Sequence, residues 1–294
     1  MYELIQVGEK TYYIESPAKM GVYRLNEQEV CLIDSGNDKD AGRKVQNILA
    51  DRGWTLKFIL NTHSNADHVG GNNVLQQRLG VPAYTSGLEA CFNRFPVLEP
   101  SFLYGGFPCR ELQNKFLMAQ PSQAFDLKEL DLPAGLEIIP LDGHYFGMIG
   151  VGTDDGVWFL ADCVMGENIL LKYHASFIYD VAAYLATLDR IEKLEGKWFV
   201  PAHAPASQDI KPLAAANRAK VLEISQYLIN LCHQPATAEE IMKQVFDHYQ
   251  LTLDWNQYVL VGSTIRSYLA YLHDTGKLAV RFEDNRLLWH SEVS

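Results

Sequence analysis

The chain has 294 residues and a formal net charge of −11 at pH 7, from 25 Lys and Arg against 36 Asp and Glu. Its hydrophobic fraction of 48% and charged fraction of 21% are those of an ordinary globular protein, which excludes the disordered and fibrous classes. The negative charge argues against non-specific binding to nucleic acid or anionic membranes, because neutralising phosphates requires a basic face.

Patterns typical of export or of membrane spanning do not occur in the sequence. Residues 1–5 lack a basic region followed by a long apolar run, so they do not predict a signal peptide. No stretch approaches the roughly 20 apolar residues that a spanning helix requires. The five cysteines form no Cys-x-x-Cys pair, which argues against a thiolate zinc site. We therefore expect a cytoplasmic protein that makes no contact with membranes.

Strand and helix patterns alternate along the first part of the chain. Residues 30–34 form a compact apolar run that predicts a buried strand. A second strand is predicted at residues 57–62, and a helix at residues 69–79. Further strands are predicted at residues 136–141, 148–151, 157–161 and 198–200, with a helix at residues 181–194 before the last of them. This order predicts a layered α/β fold.

Residues 86–126 interrupt the alternation. They are rich in Phe and Tyr and contain several prolines and the pair Gly105-Gly106. We interpret the segment as an insertion packed by its own aromatic side chains. It also has the character of a lid or a pocket wall, since long structured insertions often carry function. The two interpretations are compatible.

From about residue 210 the pattern changes to three helices followed by one β-hairpin. Thr237-x-x-Glu240 is a capping box that starts the second helix, and Asp284-Asn285 marks the hairpin turn. This outline is typical of a winged helix. We therefore assign residues 1–209 to one domain and residues 210–294 to a second, helical winged-helix-like domain.

Four of the nine histidines lie after predicted strands or in the loop that one of these strands begins. They are His63, His68, His144 and His203, and Asp162 likewise ends a predicted strand. Polar groups at the ends of buried strands collect at one edge of an α/β core, where ligands usually bind. We expect these five side chains to lie close together, and we interpret the other five histidines as ordinary hydrogen-bonded residues.

Residues 62–72, Thr-His-Ser-Asn-Ala-Asp-His-Val-Gly-Gly-Asn, resemble the T-H-x-H-x-D-H-x-G-G-N signature of the metallo-β-lactamase superfamily. Further markers of this superfamily are Asp34 in L-I-D-S-G, His144 in D-G-H, Asp162 in L-A-D and His203 in P-A-H. The resemblance implies an α/β fold, an αββα sandwich with metal ions at one edge of the sheets. The C-terminal part is similar to the small winged-helix-like domain of the subgroup that includes β-lactamase-like protein 2.

One metal position implied by the resemblance has its complete ligand set in this chain. Its ligands would be Asp67, His68 and His203, with Asp162 bridging to a second metal. Asp34 would orient a ligand imidazole through the nitrogen that does not bind metal. Imidazole and carboxylate ligands suit zinc, and also iron or manganese, so we expect one or two zinc ions with iron or manganese as alternatives.

The other metal position departs from the signature. Its implied ligands are His63, His144 and residue 65, where this chain has Asn65 and the superfamily usually has His. Either the complete position binds one metal alone, or Asn65 is a weaker ligand through its oxygen or through water. A third alternative is that His63, His144 and Asp162 form the 2-His-1-carboxylate set of a mononuclear iron site. Persulfide dioxygenases of this superfamily use the equivalent three positions.

The resemblance implies a metal-dependent hydrolase in which metal-bound hydroxide attacks an ester-like substrate such as a thioester, a lactone or a related acyl compound. Asp67 or Asp162 would help to handle the proton. The aromatic insertion favours a small molecule with an apolar or acyl part over a bare phosphate. The helical C-terminal part fits a packing or dimerisation module, which would allow a homodimer.

Three other functions compete with acyl hydrolysis. The superfamily contains nucleases and phosphodiesterases, but residues 210–294 hold eight Lys and Arg against nine Asp and Glu, so nucleic-acid binding is not favoured. An iron-dependent dioxygenase would use the 2-His-1-carboxylate set. A degenerate member that binds metal without turnover would be explained by Asn65.

Overall fold

The computed structural model describes residues 2–291, so Met1 and residues 292–294 of the two assigned domains lie outside the described residues. It contains a seven-stranded sheet whose strands follow the order of the chain. These strands are β1 (Glu3–Gln6), β2 (Thr11–Glu15), β3 (Met20–Arg24), β4 (Glu29–Ile33), β5 (Thr55–Leu60), β6 (Ala83–Thr85) and β7 (Ala124–Asp126). Neighbouring strands are antiparallel from β1 to β4 and parallel from β4 to β7.

A second sheet has four strands in the order β11-β10-β9-β8. They are β8 (Leu136–Pro140), β9 (Ile149–Thr153), β10 (Val157–Ala161) and β11 (Trp198–Pro201). The first three are joined as antiparallel neighbours, whereas β10 and β11 run parallel. These strands confirm the four predicted from the sequence between residues 136 and 200, with end points that differ by one or two residues.

The two sheets pack face to face between layers of helices. In β4, Cys31 and Ile33 belong to the apolar cluster between the sheets, while Val30 and Leu32 belong to the cluster under the outer helices. Successive side chains of a strand point to opposite faces, so a strand buried on both faces is a continuous apolar run. The helices of this part are α1 (Lys39–Asp51), α2 (Ala66–Val69), α3 (Asn72–Leu79), α4 (Gly87–Arg94), α5 (Leu98–Tyr104), α6 (Glu167–Tyr173) and α7 (Val181–Ile191). The layers form the expected αββα sandwich.

The insertion at residues 86–126 is more regular than its composition indicates. It contains α4, α5 and a short 3-10 helix at Arg110–Leu112, and it ends in β7, which extends the first sheet. The helix predicted at residues 69–79 is also different, because the chain has a single turn of helix in α2 and then begins α3 at Asn72. The break between α2 and α3 falls at Gly70 and Gly71, where a Cβ would collide with the backbone of Asn37 and of Ser35.

The C-terminal part contains three helices and a hairpin, as the sequence predicts. They are α8 (Lys211–Leu231), α9 (Ala238–His248), α10 (Trp255–Asp274), β12 (Leu278–Glu283) and β13 (Arg286–Ser291). The capping box at Thr237 is present, and Asp284 and Asn285 both have positive φ in the hairpin turn. Apolar residues of α8 and α10 share one cluster with Leu160 of the second sheet. The domain boundary and the winged-helix assignment stay predictions.

In the part of the chain that the structure describes, no helix combines the length and the apolar character that crossing a membrane requires. The longest helices, α8 and α10, bury apolar residues such as Leu228 and Leu269 within the protein.

Gly143, directly before His144, is a position where the fold requires glycine. Its φ is +115°, and a Cβ there would lie 2.2 Å from the backbone nitrogen of Tyr184 in α7. We expect Gly143→Ala to lower the free energy of unfolding by about 2–6 kcal/mol, through backbone strain combined with overpacking. Urea unfolding followed by circular dichroism measures this loss.

Gly53→Ala is the matched control for this substitution. Gly53 also has a positive φ, of +68°, but nothing lies within 4 Å of a Cβ at that position. Its replacement should cost only the left-handed backbone penalty of about 1–2 kcal/mol. Equal losses for the two variants would show that the contact with Tyr184 does not constrain Gly143.

Candidate metal centre

The carboxyl ends of strands from both sheets meet at one edge of the sandwich. Asp34 follows β4, His63 lies just beyond β5, Asp162 follows β10, and His203 lies just beyond β11. His144 lies in the connection between β8 and β9. The topology therefore gathers residues that are up to 169 positions apart in sequence, as the numbering from 34 to 203 shows.

One group of four side chains converges on a common point. The ligand atoms of Asp67, His68, Asp162 and His203 all lie within 4.8 Å of one another. His203 Nε2 is 3.1 Å from Asp67 Oδ2 and 3.3 Å from Asp162 Oδ2, and His68 Nε2 is 3.1 Å from Asp162 Oδ1. Ligand atoms around a tetrahedral cation with bonds of about 2.0–2.1 Å are about 3.3 Å apart. The three short separations are close to this value, and His68 Nε2 is farther, 3.8 Å, from Asp67 Oδ2, so the four side chains are near enough to bind one cation.

A second group shares Asp162 with the first. The ligand atoms of His63, His144 and Asp162 also lie within 4.8 Å of one another, and all three residues are buried. His144 Nε2 is 3.6 Å from Asp162 Oδ2 and 3.3 Å from Asn65 Oδ1. The structure thus brings all seven of the candidate ligands together, with Asp162 between the two groups. Their role as metal ligands stays a prediction.

Several of these buried atoms lack a well-formed hydrogen bond among the described residues. His63 Nε2 has no partner, and His68 Nε2 and Asp162 Oδ1 face each other at 3.1 Å without the geometry of a hydrogen bond. An unsatisfied buried polar atom costs about 1–3 kcal/mol, so native proteins rarely keep such atoms without a reason. A cation held by these lone pairs would remove the cost. The donor set of imidazole and carboxylate therefore fits one or two divalent cations.

Hydrogen bonds at the Nδ1 atoms orient the imidazoles of His144 and His203. His144 Nδ1 donates to the backbone carbonyl of Phe177 at 3.0 Å, and His203 Nδ1 donates to that of Pro17 at 3.0 Å. A carbonyl can only accept, so each ring carries a proton on Nδ1 and points Nε2 toward the centre, where this nitrogen can bind a cation in its deprotonated form. Metal-binding histidines commonly have this arrangement.

Asp34 orients the other two imidazoles. Its carboxylate accepts from His68 Nδ1 at 2.8 Å, and from the backbone nitrogen and the hydroxyl of Thr62 at 2.8 Å each. Because the Thr62 hydroxyl donates to Asp34, its oxygen is free to accept from His63 Nδ1, which lies 3.1 Å away. Asp34 thus acts on His68 directly and on His63 through Thr62. The sequence predicted the contact with a ligand imidazole but not the path through Thr62.

The histidines of the centre differ in the direction in which their surroundings shift the pKa. Burial, followed by the neighbouring His68, lowers the pKa of His63 well below its ordinary value. Burial also acts to lower the pKa of His203, but the carboxylates of Asp162 and Asp67 outweigh it and raise this pKa to about 10. The pKa of His68 is raised in the same way, against burial, by Asp162 and Asp67. Metal uptake at neutral pH would therefore displace protons from His68 and His203.

A cavity of about 450 Å³ opens onto the candidate ligands. Its lining includes Asn65, Asp67, His144, Asp162 and His203. The rest of the lining is largely apolar and comes from the insertion, from α6 and the segment around it, and from α10: Phe116, Leu117, Met165, Ile169, Tyr173, Ala175, Phe177, Leu260 and Val261. The centre therefore lies against an apolar chamber formed by three separate segments of the chain.

Two buried glutamates of the insertion contact the His63–His68 loop, and sequence patterns did not identify them. Glu89 accepts from the backbone nitrogen and the hydroxyl of Ser64 and from the backbone nitrogen of Gly147. Glu99 accepts from Asn65 Nδ2 at 2.8 Å and also lines the cavity. Each lies far from the loop in sequence, and its neighbours in the chain carry no motif that would indicate the contact.

A sequence model of the metallo-beta-lactamase superfamily matches residues 15–203, and the chain belongs to this superfamily. Among curated proteins, it is 29% identical over 147 residues to the hydroxyacylglutathione hydrolase of Rhodobacter capsulatus, covering 49% of this chain and 48% of that protein. It is 38% identical over 69 residues to the hydroxyacylglutathione hydrolase of Pelagibacter ubique, covering 24% of this chain and 26% of that one. The chain spans about half or less of the length of these relatives.

Solved structures resemble the chain over nearly its whole length. A beta-lactamase domain protein from Burkholderia ambifaria has a TM-score of 0.77 at 18% identity, covering 98% of this chain and 93% of that one. A metallo-beta-lactamase family protein from Thermus thermophilus has a TM-score of 0.71 at 19% identity, covering 96% of this chain and 99% of that one. At these identities the likeness concerns the fold alone, and it extends to the C-terminal helices.

Asp34→Asn tests the orienting carboxylate. Asparagine tolerates the φ of +60° that Asp34 has, so the backbone should be unaffected. Its side chain accepts at one end only, so either Thr62 or His68 would face an NH2 group instead of an oxygen. We expect zinc affinity to fall about 10- to 100-fold, measured by competition with a chromogenic chelator.

Asp142→Asn is the control for this measurement. Asp142 is exposed and lies two residues before His144, so its replacement should leave zinc affinity unchanged. If Asp34→Asn bound zinc as tightly as this control, the orientation of His68 by Asp34 would have no part in metal binding.

Proposed function

We propose that this chain is a metal-dependent hydrolase that acts on an acyl substrate with an ester-like bond, such as a thioester or a lactone, and that its resident cation is zinc. The observation that carries the proposal is the convergence of buried imidazole and carboxylate atoms, including the unpartnered His63 Nε2, beside an apolar cavity. The names of the two hydroxyacylglutathione hydrolase relatives are in keeping with thioester hydrolysis.

The two groups of side chains would hold the cations in different ways. Asp67, His68 and His203 would bind one cation, and His63 and His144 would bind the other, with Asp162 shared between them. The second cation would lie beside Asn65, whose amide oxygen faces His144. When bound, such cations polarise a carbonyl oxygen and make water a stronger nucleophile near neutral pH. The remaining tasks, which are orientation of the substrate and transfer of protons, fall to side chains of the chain.

Asp67 is the candidate for handling a proton beside the reacting bond. Its side chain is 37% exposed, whereas those of His68 and Asp162 are almost fully buried. Although burial acts in the opposite direction, His68 and His203 hold the pKa of Asp67 below its ordinary value. The carboxylate therefore stays ionised and is suited to accept a hydrogen bond from an attacking or leaving group.

The cavity lining favours an acyl group over a phosphodiester. Apart from the candidate ligands, most of its lining side chains are apolar, and Lys115 is the one Lys or Arg among the described residues that line it. A phosphate is commonly bound by several cationic or N–H donors. An acyl chain gains about 0.8 kcal/mol for each CH₂ that it buries. This contrast makes a nuclease a weaker proposal than an acyl hydrolase.

Activity of the zinc-loaded full chain against a panel of acyl thioesters, lactones and a phosphodiester tests the proposal. We expect hydrolysis of the acyl compounds, and a fall of roughly 10²- to 10³-fold in kcat/KM for Asp162→Ala, because several kcal/mol of transition-state stabilisation depend on the cations. Asp142→Ala should keep the activity. Hydrolysis of the phosphodiester alone would reject acyl hydrolysis in favour of a nuclease.

An iron-dependent dioxygenase is the second candidate, and the convergence of His63, His144 and Asp162 favours it. Elemental analysis of the protein separates the two. One iron per chain, with oxygen consumption and no hydrolysis, would establish the dioxygenase. One or two zinc ions with hydrolysis would establish the proposed function, and metal without either activity would indicate a binding protein.

Ile169→Trp tests the part that the cavity has in substrate choice. Ile169 lies on α6 and lines the cavity, so a larger side chain there should shorten the space for an acyl chain. We expect kcat/KM for long-chain substrates to fall at least about tenfold relative to short-chain ones. Leu171→Trp, on the same helix but 69% exposed, should leave this ratio unchanged. Equal loss for short and long chains would mean that the acyl group binds elsewhere.

A further inference from the structure

We propose that Glu99 is a positioning residue that fixes the amide of Asn65, so that the amide oxygen faces His144 and serves as a ligand of the metal held by His63 and His144. The inference rests on the proposed function, since it requires a cation at this position. It assigns a role to a residue of the insertion that lies 34 positions from Asn65 in sequence.

The contacts of the Asn65 amide give its orientation. Its Nδ2 donates to Glu99 Oε1 at 2.8 Å, and its Oδ1 is 3.3 Å from His144 Nε2. The latter is the separation expected for two ligands of one cation, about 3.3 Å in a tetrahedral site. Glu99 is 5% exposed, so little water competes for the amide NH2 group.

The side chain of Asn65 does not form the helix-capping hydrogen bond that its position would allow. Asn65 is the N-cap residue of α2, where an asparagine oxygen usually accepts from a backbone N–H of the first turn. Asp38 and Asp254 cap α1 and α10 in this way. Within the described residues, the side chain of Asn65 makes no such cap bond. It extends instead between Glu99 and His144.

Orientation matters because the two ends of an amide are nearly the same in shape and opposite in function. The oxygen has lone pairs for a cation, while the NH2 group has only donors. Glu99 Oε1 accepts from this NH2 group, and a carboxyl oxygen that carries no proton can only accept, so it selects the NH2 end and turns the amide oxygen away from itself. An imidazole at this position would need no such selection.

Glu99 is not itself placed as a metal ligand. The groups of imidazole, thiol and carboxylate atoms that converge within 4.8 Å, searched over residues 2–291, do not include it. Its effect on metal binding therefore has to pass through Asn65. Replacing Asn65 should therefore abolish any effect of Glu99 on metal affinity.

Zinc titration of the metal-free full chain, in competition with a chromogenic chelator, measures the two positions separately if their affinities differ. We expect Glu99→Leu to weaken the weaker zinc site about 10- to 100-fold, the usual effect of losing an orienting partner. Glu99→Gln keeps an oxygen that can accept from Asn65, so it should restore most of the affinity. Glu111→Leu, at an exposed position of the same insertion, is the control and should match the unmodified chain.

The same titration in an Asn65→His background separates positioning from general damage to the fold. There Glu99→Leu should leave zinc affinity unchanged, and the absorption spectrum of the cobalt-substituted protein should be unchanged as well. An equal loss in both backgrounds would overturn the positioning role. Two zinc ions bound with unaltered affinity in Glu99→Leu would overturn this role alone. A chain that takes up no metal, or only one zinc at the complete position, would overturn the role together with the cation proposed at His63 and His144.

Discussion

The carboxylate of Asp162 is the interaction on which the centre depends. It ends β10 of the second sheet, and its two oxygens face His68 from the first sheet and His203 and His144 from the second. Moving a charge from water into the protein interior is costly unless partners compensate it. Because the partners of Asp162 come from both sheets, the packing of one sheet on the other is coupled to these contacts. Against the effect of burial, His203 and His68 hold the pKa of Asp162 well below its ordinary value. Asp162 is thereby kept ionised, so it can bind a cation when His68 and His203 release their protons.

Sequence patterns predicted β4, β5 and the four strands of the second sheet, but not β1, β2, β3 or β7. The candidate ligands followed from the resemblance to the superfamily signature, and the structure brings them together, while their role as metal ligands stays a prediction. A buried strand such as β10 is a short apolar run, and His63, Asp67 and His68 lie within one loop of fixed spacing. The partners that orient His144 and His203 could not be predicted, since they are the backbone carbonyls of Phe177 and Pro17. Any residue has a carbonyl group, so no residue type marks these positions. Only the folded chain brings them to the centre.

The insertion at residues 86–126 also makes side-chain contacts that could not be predicted from the sequence. Its aromatic composition predicted packing or a pocket wall, and Phe116 does line the cavity. The sequence could not distinguish its two buried glutamates, Glu89 and Glu99, from exposed acidic residues such as Glu111. These residues differ in burial, which only the folded structure shows. A buried carboxylate is costly without partners, and both glutamates find them in the His63–His68 loop. The segment that departs most from the regular pattern therefore contacts the loop where the chain departs from the superfamily signature.

The Asn65 substitution and the insertion that contacts it both bear on which metal ion the site would prefer. An amide oxygen is a harder ligand than an imidazole nitrogen, and oxygen ligands shift preference toward cations such as manganese. The position beside Asn65 would then differ from the complete position in affinity and in preferred cation, although Asp162 belongs to both. The superfamily fold carries many chemistries on one scaffold, so function depends on such local differences. In this chain they lie at Asn65 and in the apolar wall formed by α6, the insertion and α10, and under the proposed function they would together determine the cation and the substrate that the site accepts.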